Sequence, residues 1–210
     1  MDTTKNTIEI FNKCATSYQE KFMDVTLYHD TLDLFCDYIK NDNADIIDVA
    51  CGPGNITRYL LNRNQNFKIT GIDLAPNMIE LAKINNPQAD FMLMDARDIG
   101  KLNNKYDGVM CSFCLPYLSK DEALLYIKEA RTILQPGGVL YLSTMEDDNS
   151  KSEFKTGSTG DQMFMNFHEG EYLTKALEEN NFKILNLKRQ NYPEKDGSKT
   201  IDLIIIAALK

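Results

Sequence analysis

The residues whose types and spacing could do chemistry lie between positions 48 and 95. Ile46, Ile47 and Val49 flank Asp48, and the chain then runs through Ala50, Cys51, Gly52, Pro53 and Gly54. This pattern predicts a buried strand, a tight turn and a helix beginning near Asn55. Such a turn brings backbone N–H groups and a helix N-terminus to whatever lies in the crevice. Gly52 and Gly54 matter because a side chain there would hold a ligand away from the backbone. Asp73 follows 19 positions after Gly54, the distance at which a doubly wound fold presents a carboxylate to a ribose diol. Asp95 ends the next strand and is a candidate acceptor for an exocyclic amine. Two acids at successive strand ends suit a neutral nucleoside better than a phosphate.

The elements that must position these groups follow from periodicity. Apolar residues at Ile8, Phe11, Ala15, Tyr18 and Phe22 predict an amphipathic helix over 7–22, and a second helix is expected over 27–39. Strands are predicted at 68–73, 89–94, 106–111 and 139–144, with helices at 55–63, 76–84 and 120–134 between them. That alternation implies βαβ crossovers and a parallel sheet with helices on both faces. Ser119 and Glu122 form a capping box at the start of the third of these helices, and Pro136, Gly137 and Gly138 stop it. Residues 146–160 are rich in Asp, Ser, Lys, Gly and Asn and read as a loop. A helix at 169–180, a strand at 182–188, a turn around Asp196 and Gly197 and a strand at 200–209 complete the chain.

Bulk composition narrows the class of partner. With 210 residues, 43% of them hydrophobic, the chain suits a single globular domain. A net charge of −8 and the lack of a basic cluster disfavour nucleic acid. The apolar run 201–209 is interrupted by Asp202 and is too short to span a bilayer, and the polar N-terminus is unlike a signal peptide, so a cytoplasmic protein is expected, with no membrane partner. Five cysteines without an export signal read as reduced thiols. Cys111 and Cys114 form a CxxC, but ligands to complete a zinc site are lacking, and no metal is expected.

The run from Ile46 to Gly54 resembles the first motif of class I S-adenosylmethionine-dependent methyltransferases. Gly71, Ile72, Asp73 and Met78 resemble the second motif, and Met94, Asp95 and Ala96 the third. Tyr106 and Asp107 through Cys111 resemble the fourth, and Leu134 to Gly138 the helix stop before strand five. The likeness covers about 44–144, with a weaker match out to Lys210, and departs at Ala50, where the family usually has glycine. It implies an α/β, Rossmann-like doubly wound sheet of seven strands, mostly parallel with the last strand antiparallel. It further implies one methyltransferase domain over 1–210, in which 1–40 is a helical lid, 44–144 the cofactor core and 145–210 an acceptor-side loop, helix and hairpin.

By the same resemblance the cofactor is S-adenosylmethionine and the product S-adenosylhomocysteine. Ala50, Cys51, Gly52 and Gly54 would line its methionine part, with Asp48 orienting the turn or the ammonium. Asp73 and Leu74 would hold the ribose side and Met78 would pack beside the adenine. Asp95 and Ala96 would read the adenine edge, Cys111 and Ser112 would lie near the sulfonium, and Tyr18 would belong to the lid over the cofactor. The acceptor is expected to be a small molecule, and the protein a monomer or homodimer. If the acceptor must lose a proton, His29, His168, Tyr18, Tyr28 and Tyr117 are candidate bases, with His168 and Tyr18 favoured. Aromatic residues including Phe11, Phe22, Phe113, Phe164 and Phe167 could wall an acceptor pocket. Two other readings stand beside this one: a non-catalytic protein that binds S-adenosylmethionine, and a different group transfer such as aminopropyl transfer. A dinucleotide-dependent oxidoreductase fails its fingerprint, because Thr57 stands where a third glycine is required.

Overall fold

In the computed structural model, which describes residues 3–157, 160–193 and 199–210, the chain opens with helix α1, Thr3–Phe22. A short 3-10 turn, Thr26–Tyr28, leads into α2, His29–Tyr38. The expected single helix over 27–39 is thus split, because the Asp24 carboxylate accepts from the Thr26 amide and hydroxyl and tightens the entry into a turn. Strand β1 is Asp45–Val49, α3 Asn55–Arg63, β2 Lys68–Asp73, α4 Pro76–Asn85 and β3 Asp90–Leu93. A 3-10 segment, Ala96–Lys101, then precedes β4, Tyr106–Ser112. Helix α5, Lys120–Ile133, carries the full Ser119–Glu122 capping box and passes straight into β5, Leu134–Glu146.

The segment expected as a plain loop holds a small hairpin instead. Strand β6, Glu153–Thr156, pairs antiparallel with β7, Gln162–Met165. Phe154 faces Phe164 across it, ring centroids 5.2 Å apart, a cross-strand pair that offsets the polar composition of the rest. The hairpin docks on α1, where Asn6 donates to the Gln162 carbonyl at 2.9 Å and Lys13 pairs with Asp161 at 2.9 Å. Helix α6, Gly170–Glu179, follows, then β8, Phe182–Pro193, longer than expected, and β9, Lys199–Leu209. The turn anticipated at Asp196 and Gly197 lies outside the described residues; the strands on either side of it pair antiparallel, from Phe182 with Leu209 to Pro193 with Lys199.

The seven strands order as β3-β2-β1-β4-β5-β9-β8. Neighbours from β3 to β5 are parallel, and β9 runs antiparallel to both β5 and β8, which is the expected doubly wound sheet. One face packs Val49, Val109, Leu140 and Ile205 against α5 and α6; the other packs Ile46, Met110, Tyr141 and Ile204 against α2 and α3. Strands buried on both faces read as continuous apolar runs, as in β4 and β9. At the centre the order reverses between β1 and β4, and the crevice outside the carboxyl ends of those strands is where such sheets bind ligands.

Candidate active site

Two adjoining cavities open at that crevice. The narrower, of about 120 Å³, is bounded by the ends of β2 and β3, the start of α4 and the inner face of α1. The wider, of about 340 Å³, extends over the 3-10 turn after α1 and the ends of β5, β8 and β9. They meet at Tyr18, Ala50, Gly52, Ser112, Phe113 and Tyr117, which line both.

Backbone geometry explains why the turn after β1 is shaped as it is. Ala50, Gly52 and Gly54 all have positive φ, at 56°, 54° and 80°. Alanine at 50 therefore carries the strain that a left-handed conformation imposes on any residue with a Cβ, on the order of 1 kcal/mol. A Cβ at Gly52 would come 3.8 Å from the Tyr18 ring, and one at Gly54 would strike the Asn86 side chain at 2.3 Å. The turn is clamped from α4: Asn85 donates to the Pro53 carbonyl at 2.8 Å and Asn86 to the Gly54 carbonyl at 2.9 Å. Phe113, with φ of 56°, is held in the same unfavourable region at the end of β4, and its amide donates to Ser143 Oγ at 3.0 Å. Strain kept at the junction of two cavities is typical of functional sites.

Four acids near these cavities are held by different partners. The Asp73 carboxylate accepts from the amides of Gly52, at 2.9 Å, and Ala75, at 2.8 Å. Burial raises its carboxyl above the ordinary value, against the pull of those amides. Asp48 is fully buried; burial pushes it up to about 7, opposed by the Thr57 hydroxyl that donates to it at 2.7 Å. Asp95 goes the other way: burial would raise it, but the bonds and charge of Arg97, whose Nε lies 3.0 Å from both carboxylate oxygens, outweigh that and hold it low. Arg97 also reaches Glu122 at 3.0 Å and Thr4 of α1 at 3.3 Å, so the far end of the narrow cavity is closed by an ionic clamp. Asp202 lines the wide cavity and accepts from the Tyr28 hydroxyl at 2.8 Å.

The structure brings together most, but not all, of the residues singled out from sequence. Asp73, Leu74, Met78, Asp95 and Ala96 line the narrow cavity, and Asp48 and Cys51 the wide one. Gly54, Cys111 and His168 line neither. Gly54 is consumed as the N-cap of α3. Cys111 points into the core beneath α5, and its neighbour Ser112 takes the place at the cavity wall. His168 is fully buried, with Nε2 2.8 Å from the Leu115 carbonyl oxygen and Nδ1 bonded to the Tyr172 hydroxyl. With both ring nitrogens engaged and burial lowering its pKa, it braces the chain between β4 and α5 rather than facing a cavity. Phe164 and Phe167 likewise lie outside both cavities, in and beside the hairpin. Sequence reasoning missed Arg97, Phe113's strained backbone and the Tyr28–Asp202 pair; of these only Asp202 left a visible signal, a charge inside an apolar strand. Among the described residues no cluster of three or more His, Cys, Asp or Glu is arranged to hold a metal ion, and no helix is long and apolar enough to cross a membrane.

Comparison with known proteins agrees with this geometry. Residues 46–138 match the family model described as a methyltransferase domain. A malonyl-[acyl-carrier protein] O-methyltransferase of Acetivibrio thermocellus is 40% identical over 107 residues, covering 48% of this chain and 36% of that enzyme; the chain matches half or less of the length of such curated relatives. In fold, the magnesium protoporphyrin IX methyltransferase of Synechocystis PCC 6803, solved with bound S-adenosylmethionine, superposes with a TM-score of 0.72 at 18% identity over 100% of this chain and 98% of its own. The [4+2]-cyclase SpnF superposes at 0.67 and 18% identity over 86% and 80%, so the fold alone does not choose the reaction. The sheet order, the glycine turn and the matched family model agree: residues 46–138 are similar to a methyltransferase domain, on a fold shared with S-adenosylmethionine-dependent methyltransferases of solved structure.

Proposed function

We propose that the chain is an S-adenosylmethionine-dependent methyltransferase acting on a small-molecule acceptor. The observation that carries this reading is the pair of cavities meeting at the strained Ala50–Gly52 turn and at Phe113. One is a narrow slot with carboxylates at its rim, suited to a nucleoside; the other is a larger chamber suited to an amino acid tail and an acceptor. The residues present fit that cofactor. Gly52 leaves a cradle that a side chain would fill, Asp73 offers a half-buried carboxylate to a ribose diol, and Met78 and Leu74 supply apolar walls.

When bound, the cofactor supplies a methyl group already activated by its sulfonium, so the protein's work is alignment and exclusion of water. Tyr18, Phe11 and Tyr117, edge-to-face at 5.1 to 5.7 Å, form an aromatic roof where α1 crosses the site. α1 is pinned to α4 by two Asn12–Asn77 hydrogen bonds of 2.8 Å, which supports its role as a lid formed by residues 1–40. Residues 145–210 supply Met145, Tyr192, Thr200 and Asp202 to the wider chamber, which supports an acceptor-side role. Asp95 would meet the adenine amine only by sharing its carboxylate with Arg97. The five cysteines, all free thiols, fit a reducing compartment, and we place the protein in the cytoplasm.

Calorimetric titration with S-adenosylmethionine, S-adenosylhomocysteine and NADH tests the reading. Micromolar binding of the two adenosyl compounds alone supports it; binding of NADH alone, or of none of the three, overturns it.

A further inference from the structure

Asp202 is anomalous in its strand. The residues that follow it, Leu203 to Ala207, are all buried and apolar, and Asp202 is itself only 2% exposed. Withdrawing a carboxylate from water is costly unless it is paired, so its presence in a core strand calls for a partner. Tyr28 provides one, donating its hydroxyl to Oδ2 at 2.8 Å from the turn between α1 and α2, 174 positions away in sequence. Burial, then the Asp202 charge, raise the Tyr28 phenol well above its ordinary value, so it stays protonated and remains a donor. Both side chains face the wide cavity.

The chamber's other buried acid, Asp48, stands on β1, three strand positions from β9 in the sheet. At ~4.8 Å per strand that separation is roughly 14 Å, too far for Asp202 to serve the same ligand ammonium as Asp48. Asp48 and Asp202 therefore stand at different parts of the chamber. Around it the chamber is apolar, with Leu27, Phe113, Pro116 and Met145 in its walls. Among the described residues its ionisable lining is Asp24, Asp48 and Asp202 with Lys21, whose ammonium lies over the Phe22 ring at 4.4 Å. Such a chamber repels carboxylates and phosphates and attracts a cation.

On the methyl-transfer reading above, we infer that the Tyr28–Asp202 pair is the acceptor-recognition site and that the acceptor is a small amine with an apolar body. The ammonium head docks on the Asp202 carboxylate, which Tyr28 holds in place. One proton passes from that ammonium to Asp202. The freed nitrogen lone pair forms the bond to the methyl carbon while the sulfur keeps the electrons of the bond that breaks, leaving a methylated ammonium and S-adenosylhomocysteine.

The test uses the full chain saturated with S-adenosylhomocysteine, titrated calorimetrically with amines, alcohols and carboxylates that share matched aryl and branched-alkyl bodies, 2-phenylethylamine, 2-phenylethanol and 3-phenylpropionate among them. S-adenosylhomocysteine release from S-adenosylmethionine is measured in parallel on the same panel. The expected result is binding and turnover of amines, at least 100-fold preferred over carboxylates. Asp202→Asn should lower amine binding and kcat/KM by 100-fold or more and Tyr28→Phe by about 10-fold, with affinity for S-adenosylhomocysteine unchanged within twofold and partial recovery in Asp202→Glu. If Asp202→Asn does not fold, Tyr28→Phe, at the half-buried end of the pair, carries the test alone. Preference for carboxylates or alcohols, silence from every amine while S-adenosylhomocysteine saturates the protein, or equal loss of cofactor and amine binding in the variants overturns the inference. Failure of S-adenosylhomocysteine itself to bind overturns the methyl-transfer reading beneath it.

Discussion

The two halves of the sheet's carboxyl edge are built in different ways. Half of the narrow cavity's wall comes from one contiguous stretch, the turns after β1, β2 and β3 between Ala50 and Arg97, with α1 as its roof and the segment after β4 completing it. The wide cavity is gathered from Tyr18 to Asp202, with the turn after α1 meeting the ends of β5, β8 and β9. A site made of consecutive βα turns inherits its geometry from local backbone rules. One made of remote strands depends on how the whole sheet closes. The first is suited to a ligand that stays constant and the second to one that varies, which is the division expected of a cofactor and an acceptor.

The largest effect that could break this comparison is at Gly52. Gly52→Val should place a branched side chain at a φ of 54° and against Tyr18, lowering S-adenosylmethionine affinity by 100-fold or more while the circular dichroism of the fold is retained. Full affinity in that variant would show that the turn does not face the ligand.

Asp73→Ala should come next. Loss of a charge-assisted hydrogen bond is worth about 1.5–3 kcal/mol, a 10- to 100-fold weaker cofactor complex by calorimetry. Unchanged affinity would remove Asp73 from the ribose side of the site.

Asp48 sharpens the comparison through pH. Its carboxyl is raised to about 7 by burial, so the neutral form is the one the fold prefers. Its contribution to stability is complete below the ordinary carboxyl value of 3.8 and is lost as pH rises through about 7. A ligand ammonium nearby favours the charged form, so cofactor binding at pH 6 should release close to one proton, and at pH 8.5 almost none. Calorimetry in buffers of different ionisation enthalpy measures this directly; equal release at both pH values, or release that persists in Asp48→Asn, would separate Asp48 from the ligand.

The smallest expected effect is at Ala50. Ala50→Gly removes the cost of a Cβ at positive φ and should stabilise the chain by about 1 kcal/mol, a rise of a few degrees in Tm with cofactor affinity kept. A fall in Tm would mean that the strain at this turn is relieved elsewhere.

How far the site was legible follows the same division. Asp73, Met78 and Asp95 stand at strand ends or helix starts whose positions periodicity gives within a residue or two, and β2 and α3 fall on the expected boundaries. His168 looked like a candidate base because it follows β5 in the chain, but position along the chain does not tell which way a ring points, and this one points into the core. The 153–165 hairpin was hidden because its stability comes from one aromatic pair and from α1, not from local composition.

By itself the sequence determined the alternation of strands and helices, the capped start of α5, the glycine turn and the spacing of the acids that follow it, because each depends on backbone conformation and periodicity within a few residues. Only the tertiary structure decided that Ala50 lies at positive φ, that Arg97 clamps Asp95, and that Tyr28 and Asp202 meet across 174 positions. Those outcomes depend on strand order and on which side chains the closing sheet brings within hydrogen-bonding reach, and no local preference encodes that.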